Sequence, residues 1–303
     1  MKRRLAIAAV GLSVIVTLAA GLVSSAAFGG IGFRTGRPAF QIHKVDEASF
    51  SATSDQPVFV LVLGHDARPG LAGARADAIH VIGVNPAAGA ATILNIPRDT
   101  YANIPGRGMD KINSAYDYGG PRLQARAVGA LVGIDLPYVI TTGFDGLMDM
   151  VDELGGVEVN IPVSMADANS GAYFSAGPNH LDGGPALALS RNRNLAGGDF
   201  TRSYHQSLII LAALAKLRGE GTSLSNVVRW LAVLLKHSQV DGVGMTDLYR
   251  LGQLALSIDP GNVRLATMPG VTADTAAGSS VLTTPAANSL FADFRDDGIL
   301  QSN

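Results

Sequence analysis

The sequence predicts an α/β fold, a central sheet covered by helices on both faces, preceded by an N-terminal transmembrane helix. Three observations predict it. Short apolar, β-branched runs stop at Gly, Asn or Pro, as buried strands do; helical segments alternate with them; and residues 5–33 carry no charge at all. A chain of 303 residues with 47% hydrophobic and 16% charged residues can bury a large core, which excludes wholesale disorder. The formal charge of −2 excludes general nucleic-acid binding. The absence of cysteine excludes disulfides, thiolate metal sites and cysteine nucleophiles. Gly 36, scattered without a three-residue period, excludes collagen and argues for many tight turns.

The first element is the anchor. Lys2, Arg3 and Arg4 precede the uncharged run, which is long enough to cross about 30 Å of hydrocarbon as a helix. A cleaved secretory signal is the alternative, but its apolar core is usually only about 7–15 residues long. Residues 1–33 therefore read as an uncleaved membrane anchor with a short cytoplasmic start. Arg34, Arg37 and Lys44 nearly balance the leading cations, yet the rest of the chain is acidic once those three are set aside. The expectation is a single-pass protein of the cell membrane with its main domain extracytoplasmic.

Residues 34–56 mix Gly, Pro, Ser and charge without periodicity and read as a linker, and residues 57–300 read as one domain. Strands are expected at 58–63, 78–84 and 91–96, then at 138–141, 157–161 and 263–268. Helices are expected at 121–132, 144–154, 202–217, 224–236, 246–257 and 285–294. Tyr204, Leu208, Leu211, Ala212 and Ala215 share one helical face and read as core.

In a chain so poor in charge, clustering carries information. Asp66, Arg68, Arg75 and Asp77 form one group, Arg98 and Asp99 a second, and Arg191, Arg193, Asp199 and Arg202 a third, each beside a predicted strand or helix end. Loops beyond the carboxyl ends of strands are where open α/β sheets bind ligands. Any single Arg–Asp pair also forms a plain salt bridge. The joint pattern instead suits a diphosphate, whose oxygens accept bidentate guanidinium forks and share a hard cation such as Mg²⁺ with one or two carboxylates.

These residues fall in ordered motifs. Gly64-His65-Asp66-Ala67-Arg68, Arg75-Ala76-Asp77, Asn95-Ile96-Pro97-Arg98-Asp99-Thr100, Lys111-Ile112-Asn113 with Gly119-Gly120, Leu154-Gly155-Gly156-Val157, Leu181-Asp182-Gly183, Arg191-Asn192-Arg193, Gly198-Asp199 and Arg202 with Gln206 follow one another. In this order the chain resembles LytR-CpsA-Psr proteins, over roughly residues 58–217 and more weakly to 294. The resemblance implies a membrane-anchored bacterial enzyme with an α/β/α sandwich around a mixed central sheet. It implies a phosphotransferase that moves a glycopolymer from a polyprenyl diphosphate carrier to a cell-wall acceptor such as peptidoglycan, forming a phosphodiester.

Carried over residue by residue, the resemblance implies that Asp66 and Asp77 hold the metal, Mg²⁺ or Mn²⁺. It implies that Arg75, Arg98, Arg191, Arg193 and Arg202 contact the diphosphate, that Asp99 and Asp199 complete the reacting site, and that Arg68, Lys111 and Gln206 bind substrate. Two positions depart from the pattern: His205 stands where a further arginine is common, and Leu189 where an aromatic is common. His205 is expected to be an exposed helical residue. A further C-terminal domain, carried by some relatives, is not expected. Two other functions share the same apparatus: a hydrolase releasing the same lipid diphosphate to water, and a non-catalytic anchored protein that binds polyprenyl phosphates. The base that deprotonates the acceptor hydroxyl is not singled out by the sequence.

Overall fold

The computed structural model describes residues 40–45, 56–65, 75–236 and 238–301. The anchor read at 5–33, Asp66 and Arg68 lie outside the described residues. Five apolar runs form the strands that the sequence predicts: β2 (Val58–His65), β3 (Ala76–Asn85), β4 (Ala90–Asn95), β7 (Tyr138–Thr142) and β13 (Val263–Thr267). They join β1 (Phe40–Lys44) and β12 (Ser238–Asp241) in a seven-stranded mixed sheet of order β12-β1-β7-β2-β3-β4-β13. The position of β1 corrects the linker reading of residues 34–56, because Phe40 to Lys44 pair along their whole length with β7 and Phe40 to His43 pair with β12. A five-residue strand in which Gln41, His43 and Lys44 are polar gives no apolar run long enough to be seen in sequence; its partners make it a strand.

Side chains alternate across the sheet. On one face Leu61, Leu63, Ile79, Val81, Leu94 and Ile96 pack beneath α1 (Ser114–Val132) and α7 (Pro285–Asp297) in the largest core cluster. Gly83 is required there: a Cβ would stand 2.7 Å from the Phe294 ring and 2.3 Å from the Gly298 carbonyl. The opposite face carries α4 (Asp199–Gly219), whose Ser207 meets Asn95, and α6 (Met245–Ser257), whose Leu254 joins the cluster of Val84 and Ala91. The described domain is thus an α/β/α sandwich.

A second core lies under α2 (Phe144–Glu153), α3 (Gly183–Arg191) and α4, where Val157, Val159 and Ile161 of β8 (Val157–Ile161) meet Leu181 of β11 (Gly177–Leu181). Its buried Leu189 shows that an aliphatic side chain fills the position that departs from the family pattern. Of the core face predicted for α4, Leu208 and Ala212 join this second core but Ala215 does not. Arg202, Ser203, His205, Ser207, Ile209 and Ala212 are buried, whereas Ala215 is exposed, because this helix turns its polar residues inward toward a site. His205 is therefore buried rather than exposed. Three further antiparallel pairs complete the picture, β5 (Tyr101–Ile104) with β6 (Gly108–Lys111), β9 (Met165–Asp167) with β10 (Ala172–Phe174) and β14 (Gly270–Thr275) with β15 (Gly278–Thr283). Among the described residues no helix is long and apolar enough to cross a membrane.

Candidate active site

β2, β4, β7 and β13 run in one direction and β3 in the other, so four carboxyl ends and the start of β3 share one edge of the sheet. That edge carries the charges. The β2–β3 ladder passes from Gly64↔Ala78 to His65↔Ala76, which leaves Asp77 as the extra residue of a bulge, turned out of the ladder. The close pairing needs glycine at 64, since a Cβ would stand 2.9 Å from that of Ala78.

Arg98, just beyond β4, donates from Nη1 to Asp77 Oδ1 at 2.5 Å. Its Nε lies 3.7 Å from Asp99 Oδ2 and 3.8 Å from Asp199 Oδ1. Lys111, at the end of the β5–β6 hairpin, places Nζ 3.3 Å from Asp99 Oδ1. At the start of α4, Arg202 Nη2 lies 2.6 Å from Asp199 Oδ1 and donates to the Asp77 carbonyl at 3.0 Å. Arg193 Nε stands 3.8 Å from Asp199 Oδ1. Burial works against the Arg98 charge, but the Asp77, Asp199 and Asp99 carboxylates outweigh it and raise its pKa. Burial dominates at Arg202 and lowers its pKa, with Arg98 and Arg193 adding repulsion. Both stay cationic near neutrality.

Arg191 closes α3 and Arg193 follows it. Between them Asn192 is extended (φ −65°, ψ 123°) and buried. Both arginines line a cavity of about 280 Å³ on the α4 face, together with Asp77, Arg202 and Gln206. The Arg191 guanidinium lies 5.3 Å from the centre of the Phe144 ring. Val62, Ala78, Leu147, Ile209 and Ile210 supply apolar wall to the same cavity. Among the described residues the cavity wall carries three arginines (Arg191, Arg193, Arg202) and one carboxylate (Asp77), an excess of two positive charges, and the ion pairs of Arg98, Lys111, Asp99 and Asp199 adjoin it. Arg75 stands apart from this group, exposed and outside the cavity wall.

Sequence reasoning missed His80, which lines the same cavity from β3. Asn95 Nδ2 donates to Thr267 Oγ1 at 3.0 Å and Ser207 Oγ at 3.3 Å, so its Oδ1 must accept the 2.7 Å bond from His80 Nδ1. Gln206 is the second side-chain partner of the ring and also donates to the Ser190 carbonyl at 3.0 Å. Burial lowers the His80 pKa to about 4, against the pull of these partners, so the imidazole is neutral. A lone histidine in an apolar strand gives no sequence signal of such a chain; its partners come from two other elements, β4 and α4.

A family model described as LytR_cpsA_psr matches residues 36–293. The chain belongs to the LytR-CpsA-Psr family. Among relatives in this family, it is 35% identical over 220 residues to the probable cell wall biosynthesis protein LcpB of Corynebacterium glutamicum, covering 72% of this chain and 52% of that protein. It is 37% identical over 184 residues to the polyisoprenyl-teichoic acid–peptidoglycan teichoic acid transferase TagU of Bacillus mycoides, covering 60% of this chain and 58% of that one. The chain therefore spans little more than half the length of these relatives. Its fold is shared with B. subtilis TagV (TM-score 0.68, 24% identity, 82% of this chain and 100% of that chain). It is shared equally with the LytR-CPS2A-psr family protein YwtF (TagT) with bound octaprenyl pyrophosphate lipid, at TM-score 0.63 and 24% identity over 89% of this chain and 100% of that one.

Proposed function

We propose that this LytR-CpsA-Psr protein is a phosphotransferase that moves a glycopolymer from a polyprenyl diphosphate to a cell-wall acceptor such as peptidoglycan. The observation that carries the reading is the excess of arginine charge at the mouth of an apolar cavity, at the sheet edge where ligands of open sheets bind. The names of the relatives, a teichoic acid transferase and a lipid-bound TagT, agree with it. Arg191 and Arg193 take non-bridging oxygens of the diphosphate in their forks, and Arg98, held by Asp77, meets the charge that builds on the transferred phosphoryl group. The first isoprene units of the carrier enter between Leu147 and Ile209.

The acceptor hydroxyl oxygen bonds to the sugar-linked phosphorus as the bond to the lipid phosphate breaks, and the hydroxyl proton passes to a carboxylate of the cluster. The products are the phosphodiester and a lipid monophosphate. Among the described residues no three His, Cys, Asp or Glu are grouped to hold a metal ion by themselves. A divalent ion shared with a diphosphate needs only one or two carboxylates, because phosphate oxygens fill other positions. Asp77, a carboxylate beside the diphosphate-binding arginines, fits such an ion; Asp66 would join it, and Mg²⁺ or Mn²⁺ bound there would neutralise charge on the diphosphate. In the same reading residues 5–33 anchor the chain in the cell membrane with the domain outside.

The test is to incubate the protein with a lipid diphosphate oligosaccharide, Mg²⁺ and peptidoglycan fragments and weigh the products by mass spectrometry. A phosphodiester-linked adduct is the expected result. Free sugar phosphate would replace transfer by hydrolysis, and intact lipid would leave a binding protein.

A further inference from the structure

Among the described residues seven large apolar side chains are exposed, and five of them lie along one edge of the sheet. Tyr173 (63%) and Val163 (55%) belong to the long hairpin built from β8, β9, β10 and β11, whose base pair Val157↔Leu181 adjoins the start of α3. At the other end of α3, Asn192 Nδ2 donates to Met165 Sδ of β9 at 3.0 Å, and Met165, Ala172 and Phe174 share the second core with Leu195. The hairpin therefore runs alongside α3, and its next pair, Ala166↔Tyr173, lies beyond the helix end that carries the cavity arginine Arg191. Its outer face is free of charge. Between Glu158 and His180 the sequence holds one charged residue, Asp167, and that side chain is turned inward, 6% exposed, where its carboxylate accepts from Ser170 Oγ at 2.6 Å and from the Asn169 N–H at 3.1 Å.

Met109 and Tyr118 stand on and beside the β5–β6 hairpin, which leaves the same edge after Asp99 and returns to it at Lys111. Val271 starts from there too: β14 follows the carboxyl end of β13, and β15 comes back to the Val281 N–H, which donates to the Asp99 carbonyl at 2.9 Å. The two remaining exposed side chains, Leu224 and Met245, follow the ends of α4 and β12 that lie away from this edge. The chain itself arrives at the apolar edge. β1 is antiparallel to β7, so Phe40 pairs with Thr142, a residue of the cavity wall, and only residues 34–39 separate Phe40 from the uncharged run 5–33. Six residues reach no more than about 20 Å in any conformation.

We propose that these exposed side chains form an apolar rim that seats the cavity edge of the domain on the surface of the bilayer holding the anchor; this rests on the anchored reading above. The short reach between the uncharged run and β1 keeps that edge within contact of the membrane. The rim is spread over three separate hairpins, which gives no single surface packed to fit a folded partner. A fluid interface requires no such fit. Each side chain enters it separately, and tyrosine suits it, with an apolar ring and a hydroxyl that stays in water. Seated in this way, the cavity receives a polyprenyl tail directly from the bilayer, and the apolar surface of the tail never crosses water.

The chain has no cysteine, so single introduced cysteines can carry an environment-sensitive fluorophore. Full-length Tyr173→Cys, Met109→Cys and, as the control, Ala87→Cys, exposed in the β3–β4 turn at the opposite edge, are labelled and reconstituted into phosphatidylcholine–phosphatidylglycerol vesicles with and without bromine on the acyl chains. The labels at 173 and 109 are expected to be quenched severalfold more by brominated lipid than the label at 87. Adding Val163→Asp, at an exposed position, is expected to lower the quenching at 173; an unchanged value overturns the rim. Equal quenching at all three positions, or none, in a chain that floats with the vesicles also overturns it and leaves the anchor standing. A chain that does not float overturns the anchored reading, and the rim with it. A label that turns apolar in lipid-free detergent only as the protein concentration rises gives the surface to a second copy and overturns the membrane assignment. None of these results depends on product formation, so a failure of the transferase reading shows separately as an absent adduct.

Discussion

At the residue scale, the arginines differ in what they are free to do. Arg191 touches an aromatic ring and has no carboxylate within ion-pair distance among the described residues, whereas Arg98 ties Asp77, Asp99 and Asp199 together. Lysine keeps charge but loses the planar fork and the stacking. Arg191→Lys is expected to cost about tenfold in donor affinity with an unchanged melting temperature; an unchanged affinity would remove Arg191 from the site. Arg98→Lys is expected to lower turnover and melting temperature together, so for this residue salt bridge and phosphate contact are not exclusive. His80 makes a pH prediction. Its folded pKa of about 4 lies below the ordinary 6.5, so between those values the unfolded chain binds a proton that the folded chain does not. Stability contributed by the neutral ring is full above about pH 6.5 and falls by about 3 kcal/mol by pH 4. Urea unfolding across that range should show a flatter decline in His80→Gln than in wild type; identical slopes would mean that His80 titrates normally. Buried His205, whose pKa burial also lowers, adds to the same trend.

At the element scale, α3 is positioned by contact with α2 so close that only glycine fits. A Cβ on Gly183 would stand 2.5 Å from the Met148 carbonyl oxygen, and the Gly183 N–H donates to Asp152 Oδ1 at 2.7 Å. Gly184, its neighbour in the same helix, faces open space. Gly183→Ala is expected to destabilise by about 2 kcal/mol and, by shifting the helix end that carries Arg191, to weaken donor binding. Gly184→Ala is expected to stabilise by about 0.5–1 kcal/mol. Thermal melts of the pair decide this, and equal effects would contradict the packing argument. The same helix shows what the sequence conceals. β2, β3, β4, β7 and β13 are legible because both faces of these strands are covered and their residues are correspondingly apolar. α3 opens with Gly-Gly-Pro, residues that discourage a helix reading although Pro185 sits harmlessly in the first turn. The arginine and aspartate cluster was legible because charge is scarce in this chain. The Asn95–His80–Gln206 chain was not, because its members are far apart in sequence and meet only across β3, β4 and α4.

At the scale of the whole molecule, the sheet includes Phe40–Lys44, so the domain cannot be cut where composition changes. A chain starting at Pro57 would expose the edges of β7 and β12 and lose buried Ile42 and Val45. It is expected to aggregate on size-exclusion chromatography and to lose a cooperative melt, while a chain starting at Pro38 stays monodisperse; equal behaviour would make β1 dispensable. The place of β1 between β7 and β12 also sets a timetable. His43 and Asp241 are bonded across 198 residues. Closing such a loop costs on the order of 5 kcal/mol of chain entropy. At ribosomal speeds of about 5–20 residues per second, that partner strand is synthesised roughly 10–40 s after β1. The first strand of the domain to be made is thus the one that waits longest for its second neighbour, with one edge open to other chains throughout.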